Sequence, residues 1–459
     1  MTQVLIVGAG PAGIRAAQRL TEAGLKPMVV DAAARAGGQI YRRPPVGFTR
    51  PAQLLYGSEA TKAMTLHSLF DKMVADGRLD YYPSSSVTAL GNGMAQVVTP
   101  AGVRELRYGR LILATGATDR LAPVAGWQAS GCYSLGAAQI ALKSQGIALG
   151  QQIVLAGSGP LLTLLASQLL QSGAQVAAVL DTAPLRQQLR GAAMMARARP
   201  LVFARGVQMR AALGRRYHAG IKLTQIEADG DGPLAIHWQD SKGKARQTPC
   251  DMIGLGWHLR ADLHLADLAG AQFEWSTTFA QWLPVSDDMG RVGEGLYLAG
   301  DGLSILGADG AEIAGRLAAT ACLLDLGHAV TDPEADLNKL NRMRRFAKGV
   351  ATAFPWPTQM VRKLLDDTVL CRCENVTAGE LRETLDWSGP DANRAKSLGR
   401  VGMGRCQGRY CQLSAAEVIA AKAAVAPDEV GRLRLQPPAR PVPICAFHPA
   451  ATIPHEGKP

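Results

Sequence analysis

Four of the eight cysteines fall close together late in the chain, as Cys371-Arg372-Cys373 and, after 32 intervening residues, Cys406-Gln407-Gly408-Arg409-Tyr410-Cys411. A C-x-C pair makes poor disulfide geometry, because neighbouring Cβ vectors diverge. It is good geometry for two thiolates on one metal centre. Four thiols with no histidine nearby suit zinc or a [2Fe–2S] cluster. Zinc sites generally pair C-x2-C knuckles, which this stretch lacks. Cys371, Cys373, Cys406 and Cys411 are therefore the candidate metal ligands. The run Gly402–Gly408 offers backbone N–H groups to cluster sulfides, and Arg372, Arg400, Arg405 and Arg409 can offset thiolate charge. Cys132, Cys250 and Cys322 stand alone and read as buried structural residues. Cys445 lies beside a Pro-rich run and reads as no ligand.

Phosphate chemistry is written twice. Near the N-terminus an apolar run (residues 3–7) leads into Gly8-Ala9-Gly10-Pro11-Ala12-Gly13 and a helical pattern through Leu20. Gly8 permits the tight turn, Gly10 lets a pyrophosphate approach the backbone, and Gly13 lets helix and strand pack closely. The helix N-terminus then faces the phosphates with free N–H groups. A second strand, Pro27–Val30, ends at Asp31, an acceptor for an adenosine ribose hydroxyl. On these residues alone the ligand is NAD or FAD. The second copy starts at Gln152–Ala156 and continues through Gly157-Ser158-Gly159-Pro160-Leu161-Leu162 to a strand, Val176–Leu180, ending at Asp181. Leu162 stands where the third glycine belongs, and a bulky side chain there is expected to push the helix off the strand. Gly157, Gly159, Pro160, Leu161 and Asp181 are candidate contacts for ATP or for NAD(H), or they line an empty relic. Asp181 disfavours NADP, since a carboxylate repels a 2′-phosphate.

These motifs need an α/β scaffold, and the composition supplies one. The chain has 459 residues, 47% of them hydrophobic and 19% charged, with 50 glycines and 5% aromatics. Such a chain buries sizeable cores, and its length suggests about three units. The net charge of +11 is not gathered into Lys/Arg blocks interleaved with aromatics, so nucleic-acid binding is not expected. An acidic partner subunit or anionic cofactors suit it better. No run of 18 apolar residues spans a membrane, and the N-terminus has no secretory leader pattern, so a cytoplasmic protein without disulfides is expected. No dithiol pair lies near the first phosphate turn, which argues against a disulfide reductase.

Three further segments resemble motifs of the flavoproteins that carry two dinucleotide-binding domains. Gly37-Gly38-Gln39-Ile40, extended to Arg43, is similar to their flavin-contacting loop. Leu111–Gly116 is similar to their A-T-G strand end, with Ala114, Thr115 and Gly116. Leu296–Asp301 resembles their late G-D motif, Gly300-Asp301, whose Asp holds the flavin ribityl chain. A helix beginning near Asp309-Gly310-Ala311-Glu312 would point its N-terminus at the flavin and stabilise negative charge there. The resemblance implies FAD in the first fold, held by Gly8, Gly10, Pro11, Ala12, Gly13, Asp31, Gly38, Gln39, Arg43, Ala114, Thr115, Gly116, Gly300, Asp301 and Ala311. The cysteine segment resembles bacterioferritin-associated-ferredoxin-like [2Fe–2S] domains. Met403 occupies the third-cysteine position of that prototype, and Cys411 replaces it.

Taken together, nearly the whole chain resembles the FAD- and [2Fe–2S]-containing α subunit of bacterial heteromeric amino-acid dehydrogenases. That family includes opine (octopine, nopaline) oxidases, D-hydroxyproline dehydrogenase, dye-linked proline dehydrogenase and the middle subunit of hydrogen cyanide synthase. The expected fold is α/β: two Rossmann-like domains of the disulfide-reductase-like flavoprotein type plus a small C-terminal [2Fe–2S] domain. The expected division is an FAD domain at 1–125 and 280–330, a second nucleotide domain at 126–279, a helical connector at 331–365, the cluster domain at 366–426 and a Pro-rich tail at 427–459. The resemblance implies a β subunit, related to D-amino-acid and sarcosine oxidases, that oxidises a C–N bond of a secondary-amine amino acid. It also implies that an FMN can lie between the two chains. This chain would then transfer electrons and need no catalytic acid or base. The alternatives are a self-contained NADH-dependent reductase, a non-catalytic scaffold, and a glycine-oxidising subunit of the hydrogen cyanide synthase type.

Overall fold

The computed structural model describes residues 3–48 and 50–447. The apolar runs that lead into the two phosphate turns become parallel strands. The first sheet has six strands in the order 291–293, 296–298, 110–113, 4–7, 28–30 and 80–82, all parallel except the first. Its strands come from distant parts of the chain. Val4–Val7 is buried along its whole length, as a strand covered by helices on both faces must be. The second sheet has five parallel strands in the order 217–219, 176–181, 153–158, 252–257 and 132–134. In both sheets the chain leaves the glycine-bearing strand on one side and returns on the other. Its carboxyl end is therefore the switch point where a ligand crevice opens. Two three-stranded antiparallel meanders, 86–107 and 222–249, accompany the sheets.

Behind the sheets, the helix Glu334–Ala353 packs on the helix Leu185–Ala198, where Gly191 comes so near that a Cβ would stand 2.2 Å from Gly349 O. The C-terminal unit begins with the hairpin Val369–Cys371 and Val376–Thr377. Helices Ala378–Ser388, Ala392–Gly399 and Gln412–Ala423 follow. The first of these is fixed by a capping box between Thr377 and Glu380, the second by the Asp391 carboxylate on two backbone N–H groups. This unit does not hang free. Its Cys371, Leu381 and Val418 share one apolar core with Leu121, Trp127, Ile236 and Trp257. Trp127 Nε1 donates to Val369 O at 2.6 Å. The tail is pinned as well: Leu435 and Ala439 are buried against the first fold, and Ala439 N donates to Thr88 O at 2.7 Å. The rest of the expected tail, 448–459, lies outside the described residues. No helix among the described residues is long and apolar enough to cross a membrane.

Candidate functional site

The first phosphate turn does what its glycines require. Gly8 has φ +106°, and a Cβ there would stand 2.3 Å from Ala114 O. A Cβ on Gly13 would stand 1.8 Å from Gly8 O, so only glycine lets the helix Pro11–Glu22 lie this close. That helix starts at Gly10 with no side-chain cap and no acid in its first turn, which leaves its N–H groups to an anion. Asp31 is held against the turn, its oxygens accepting from Ala9 N (2.5 Å) and Ala33 N (2.6 Å). Burial raises its pKa, against the pull of those two N–H groups and of Arg42 and Arg440.

The other expected flavin contacts gather around the same turn. Gly37 N donates to Ala9 O at 2.8 Å, and a Cβ on Gly38 would stand 2.9 Å from Gly10 Cα. Gly300 packs where a Cβ would meet Ala12 Cβ at 2.9 Å and Ala311 Cβ at 3.2 Å. This brings the helix Gly307–Asp325 up beside the phosphate turn. Asp301 Oδ1 accepts from Leu306 N (2.8 Å) and Gly307 N (3.1 Å), and burial raises its pKa. Two expected contacts are engaged by the protein itself. Gln39 Oε1 accepts from the Arg42 guanidinium, and Arg43 holds the Asp71 carboxylate with two bonds of 2.8 and 3.1 Å. An uncapped helix end beside glycine-only surfaces and a half-buried Asp301 fits a dinucleotide whose ribityl chain is polar.

The second turn is built differently. Gly157 has φ +144°, with the virtual Cβ 1.8 Å from Gly256 O, and Gly159 (φ +108°) precedes an uncapped helix, Pro160–Gln171. Leu162 is fully buried among Leu135, Leu155, Leu165 and Val179, a leucine layer where a close glycine contact would otherwise be. Asp181 is buried and saturated. Its carboxylate accepts from Ser158 Oγ (2.8 Å), Ala183 N (2.8 Å) and Tyr217 Oη (2.5 Å), with Gln188 Nε2 at 3.4 Å.

The four late cysteines come together as two pairs. Cys371 interacts most with Cys411 and Cys373 most with Cys406, and Cys411 feels the charge of all three of the others. The Cys411 contact, helped by N–H groups of Gly402, Glu374 and Cys373, pulls Cys371 down to about 6 against the effect of burial. The same contact, with burial, pushes Cys411 up. Gly404 makes the meeting possible: a Cβ there would lie 2.3 Å from Cys373 Cβ. No three His, Cys, Asp or Glu side chains among the described residues are placed to share a single ion. Met403 is exposed beside the pairs, and so is Cys445 well along the tail.

Three of the four arginines that the spacing flagged have partners of their own, and Arg409 also donates to Cys406 O at 3.4 Å. Arg372 lies over the Trp127 ring at 5.1 Å, Arg400 pairs with Glu374 at 2.6 Å, and Arg409 pairs with Asp262 at 3.3 Å. Arg260 is the residue that spacing did not flag. It is 3% exposed, donates to Arg409 O at 2.9 Å, and feels the charges of Cys406 and Cys411. Burial pulls its pKa down to about 10. Its signal was a charge set just beyond the apolar run Met252–Trp257, after His258 and Leu259. Asp262 joins this cluster to the flavin side: its N–H donates to Gly116 O at 3.0 Å and its carbonyl accepts from Thr115 Oγ1 at 3.0 Å.

Two parallel nucleotide folds, with a phosphate turn at each switch point, define a two-dinucleotide-fold oxidoreductase. Residues 2–316 match the pyridine nucleotide-disulphide oxidoreductase family. The chain is 34% identical to the A subunit of opine oxidase from Rhizobium meliloti, over 99% of this chain and 88% of that one. It is 31% identical to hydrogen cyanide synthase subunit HcnB of Pseudomonas aeruginosa, over 98% of both. Among solved structures, L-proline dehydrogenase from P. horikoshii aligns at a TM-score of 0.70 and 18% identity, over 97% of this chain and 79% of that one. Thioredoxin reductase from T. acidophilum aligns at 0.50 and 18%, over 71% of this chain and 99% of that one. The chain thus belongs to the FAD-dependent pyridine nucleotide-disulphide oxidoreductase family, within the group that holds HcnB and the opine oxidase A chain.

Proposed function

We propose that this chain is the electron-transfer subunit of a heteromeric flavin dehydrogenase that oxidises the C–N bond of a secondary-amine amino acid, of the opine or hydroxyproline/proline type. A partner β subunit of the amino-acid-oxidase kind binds and oxidises that substrate. The division into a split FAD domain, a second nucleotide domain and a cluster domain belongs to this reading. The observation that carries it is Asp262, which bonds the flavin-side strand end at Thr115 and Gly116 and also Arg409, between the two thiol pairs.

Gly8, Gly10, Gly13, Asp31, Gly38, Gly116 and Asp301 would hold FAD. Two thiol pairs suit two irons better than one tetrahedral ion, so Cys371 with Cys411 and Cys373 with Cys406 would hold a [2Fe–2S] centre. Bound there, the flavin supplies two-electron and the cluster one-electron acceptance. The chain's own part is to position both, exclude water and supply positive charge from Arg260 and Arg409. The saturated Asp181 and buried Leu162 speak for ATP or an unused second site over a working NADH site. The names of the relatives, each one part of a larger enzyme, support a hetero-oligomer.

The test is anaerobic. The purified chain, loaded with FAD and iron, should neither bleach rapidly with NADH nor oxidise opines, proline or hydroxyproline by itself. Reduction should appear once the amino-acid-oxidase-like partner and its substrate are added. Rapid bleaching by NADH alone would show a self-contained reductase instead.

A further inference from the structure

Lys143 is the only buried lysine among the described residues, 6% exposed. It sits in a π-helical turn, Ala141–Gln145, that ends the helix Leu135–Ile140 of the second nucleotide fold. Such wide turns often mark functional positions. Its Nζ donates to Ile40 O at 3.1 Å. An ammonium has three donors, so two remain. No carboxylate of a described residue compensates it, and burial alone pulls its pKa down to about 8. A buried charge without a counter-charge is costly to the fold, and an anion beside it would relieve that cost.

The place it reaches says which anion. Ile40 belongs to the loop Gly37–Arg43, which lies on the first phosphate turn through Gly37 N to Ala9 O and the close approach of Gly38 to Gly10. The loop's own cations are engaged: Arg42 with Gln39, Arg43 with Asp71. Lys143 thus brings an uncommitted cation from one nucleotide fold to the loop that covers the groove of the other. We propose that Lys143 is the counter-charge for the dinucleotide bound in the first fold. The inference rests on the FAD reading. That ligand offers two anionic parts, the pyrophosphate and the isoalloxazine ring once reduction gives it negative charge.

Lys143→Met keeps the apolar stem and removes the charge. The FAD-free variant should melt no lower than the parent, because an uncompensated charge has gone. On titration with FAD it should bind at least about tenfold more weakly, which assigns the charge to the pyrophosphate. Alternatively, the bound flavin should show a lower midpoint potential, which assigns it to the ring. Unchanged affinity together with unchanged potential overturns the proposal. So does a lower melting temperature without FAD and no change with it, which would make Lys143 a packing residue. Lys143→Gln, read the same way, serves if the methionine variant does not fold. The parent titration stands apart: a parent that takes up no FAD overturns the flavin reading and this inference with it, whereas a parent that binds beside an indifferent variant overturns this inference alone.

Discussion

Asp262 and Arg409 form an ion pair at 3.3 Å between the flavin-side strand end and the cysteine loop, each side chain 13% exposed. Burial by itself would raise the Asp262 pKa, but Arg409, His264, Arg260 and Arg440 together hold it below the usual range. The carboxylate is thus the counter-ion for a cluster of guanidiniums. Asp262→Ala leaves Arg409 and Arg260 without it and should cost about 3 kcal/mol, read by denaturant unfolding. Since the folded pKa lies below the unfolded one, the pair's contribution is present above about pH 4 and is lost as pH falls through the folded value. The parent's melting temperature should therefore fall more steeply than that of Asp262→Asn on acidification below about pH 4. Parallel curves would show that the charge is not what matters.

Gly404 lies where the two cysteine loops meet, and a Cβ on it would stand 2.3 Å from Cys373 Cβ. A methyl group at Gly404 must push them apart, so Gly404→Ala should cost about 1–3 kcal/mol and lower iron content. FAD retention should be unchanged, because the phosphate turns lie elsewhere. Iron analysis and flavin absorbance of the same sample decide it; normal iron would mean that the loops can yield.

On the proposed [2Fe–2S] reading, Cys371 with Cys411 would serve one iron and Cys373 with Cys406 the other. Cys411→Ser and Cys373→Ser should each abolish or labilise the iron–sulfur absorbance while FAD stays bound. Cys445→Ser, at an exposed tail position, should leave the absorbance intact. A normal spectrum in Cys411→Ser would mean that the fourth ligand lies elsewhere.

What the sequence revealed follows physical range. Gly8, Gly13 and Gly157 were legible because their demand is local: a positive φ or a helix pressed on its own strand leaves only glycine. The strands beside them were legible as apolar runs of strand length. Asp181 was legible as a strand-end acid, but not its saturation, because Tyr217 arrives 36 residues later on another strand. Arg260 and Asp262 were hidden for the same reason. Their partners at 409 and at 115–116 are brought near only by the packing of three units. Gln39 and Arg43 matched a motif, yet their side chains found Arg42 and Asp71 first.

Asp181 offers the clearest dependence on pH. Burial raises its pKa to about 6, despite Tyr217, Ala183, Ser158 and Arg210, which favour the charged form. Unfolded, it would titrate near the ordinary value of 3.8. The folded chain therefore holds this proton more tightly than the unfolded one. Stability is greatest below about pH 4 as far as this group is concerned, and it declines as pH rises to about 6. Two pK units correspond to about 3 kcal/mol lost by pH 7. Asp181→Asn keeps an oxygen for Ala183 N and Ser158 Oγ and removes the charge, though its amide must face Tyr217 Oη. It should raise the melting temperature at pH 7–8 relative to the parent and bring the two together near pH 4–5. A variant less stable than the parent at every pH would mean that the Tyr217 bond to a carboxylate outweighs desolvation. In that case Asp181 is ionised in the fold and held so by Tyr217.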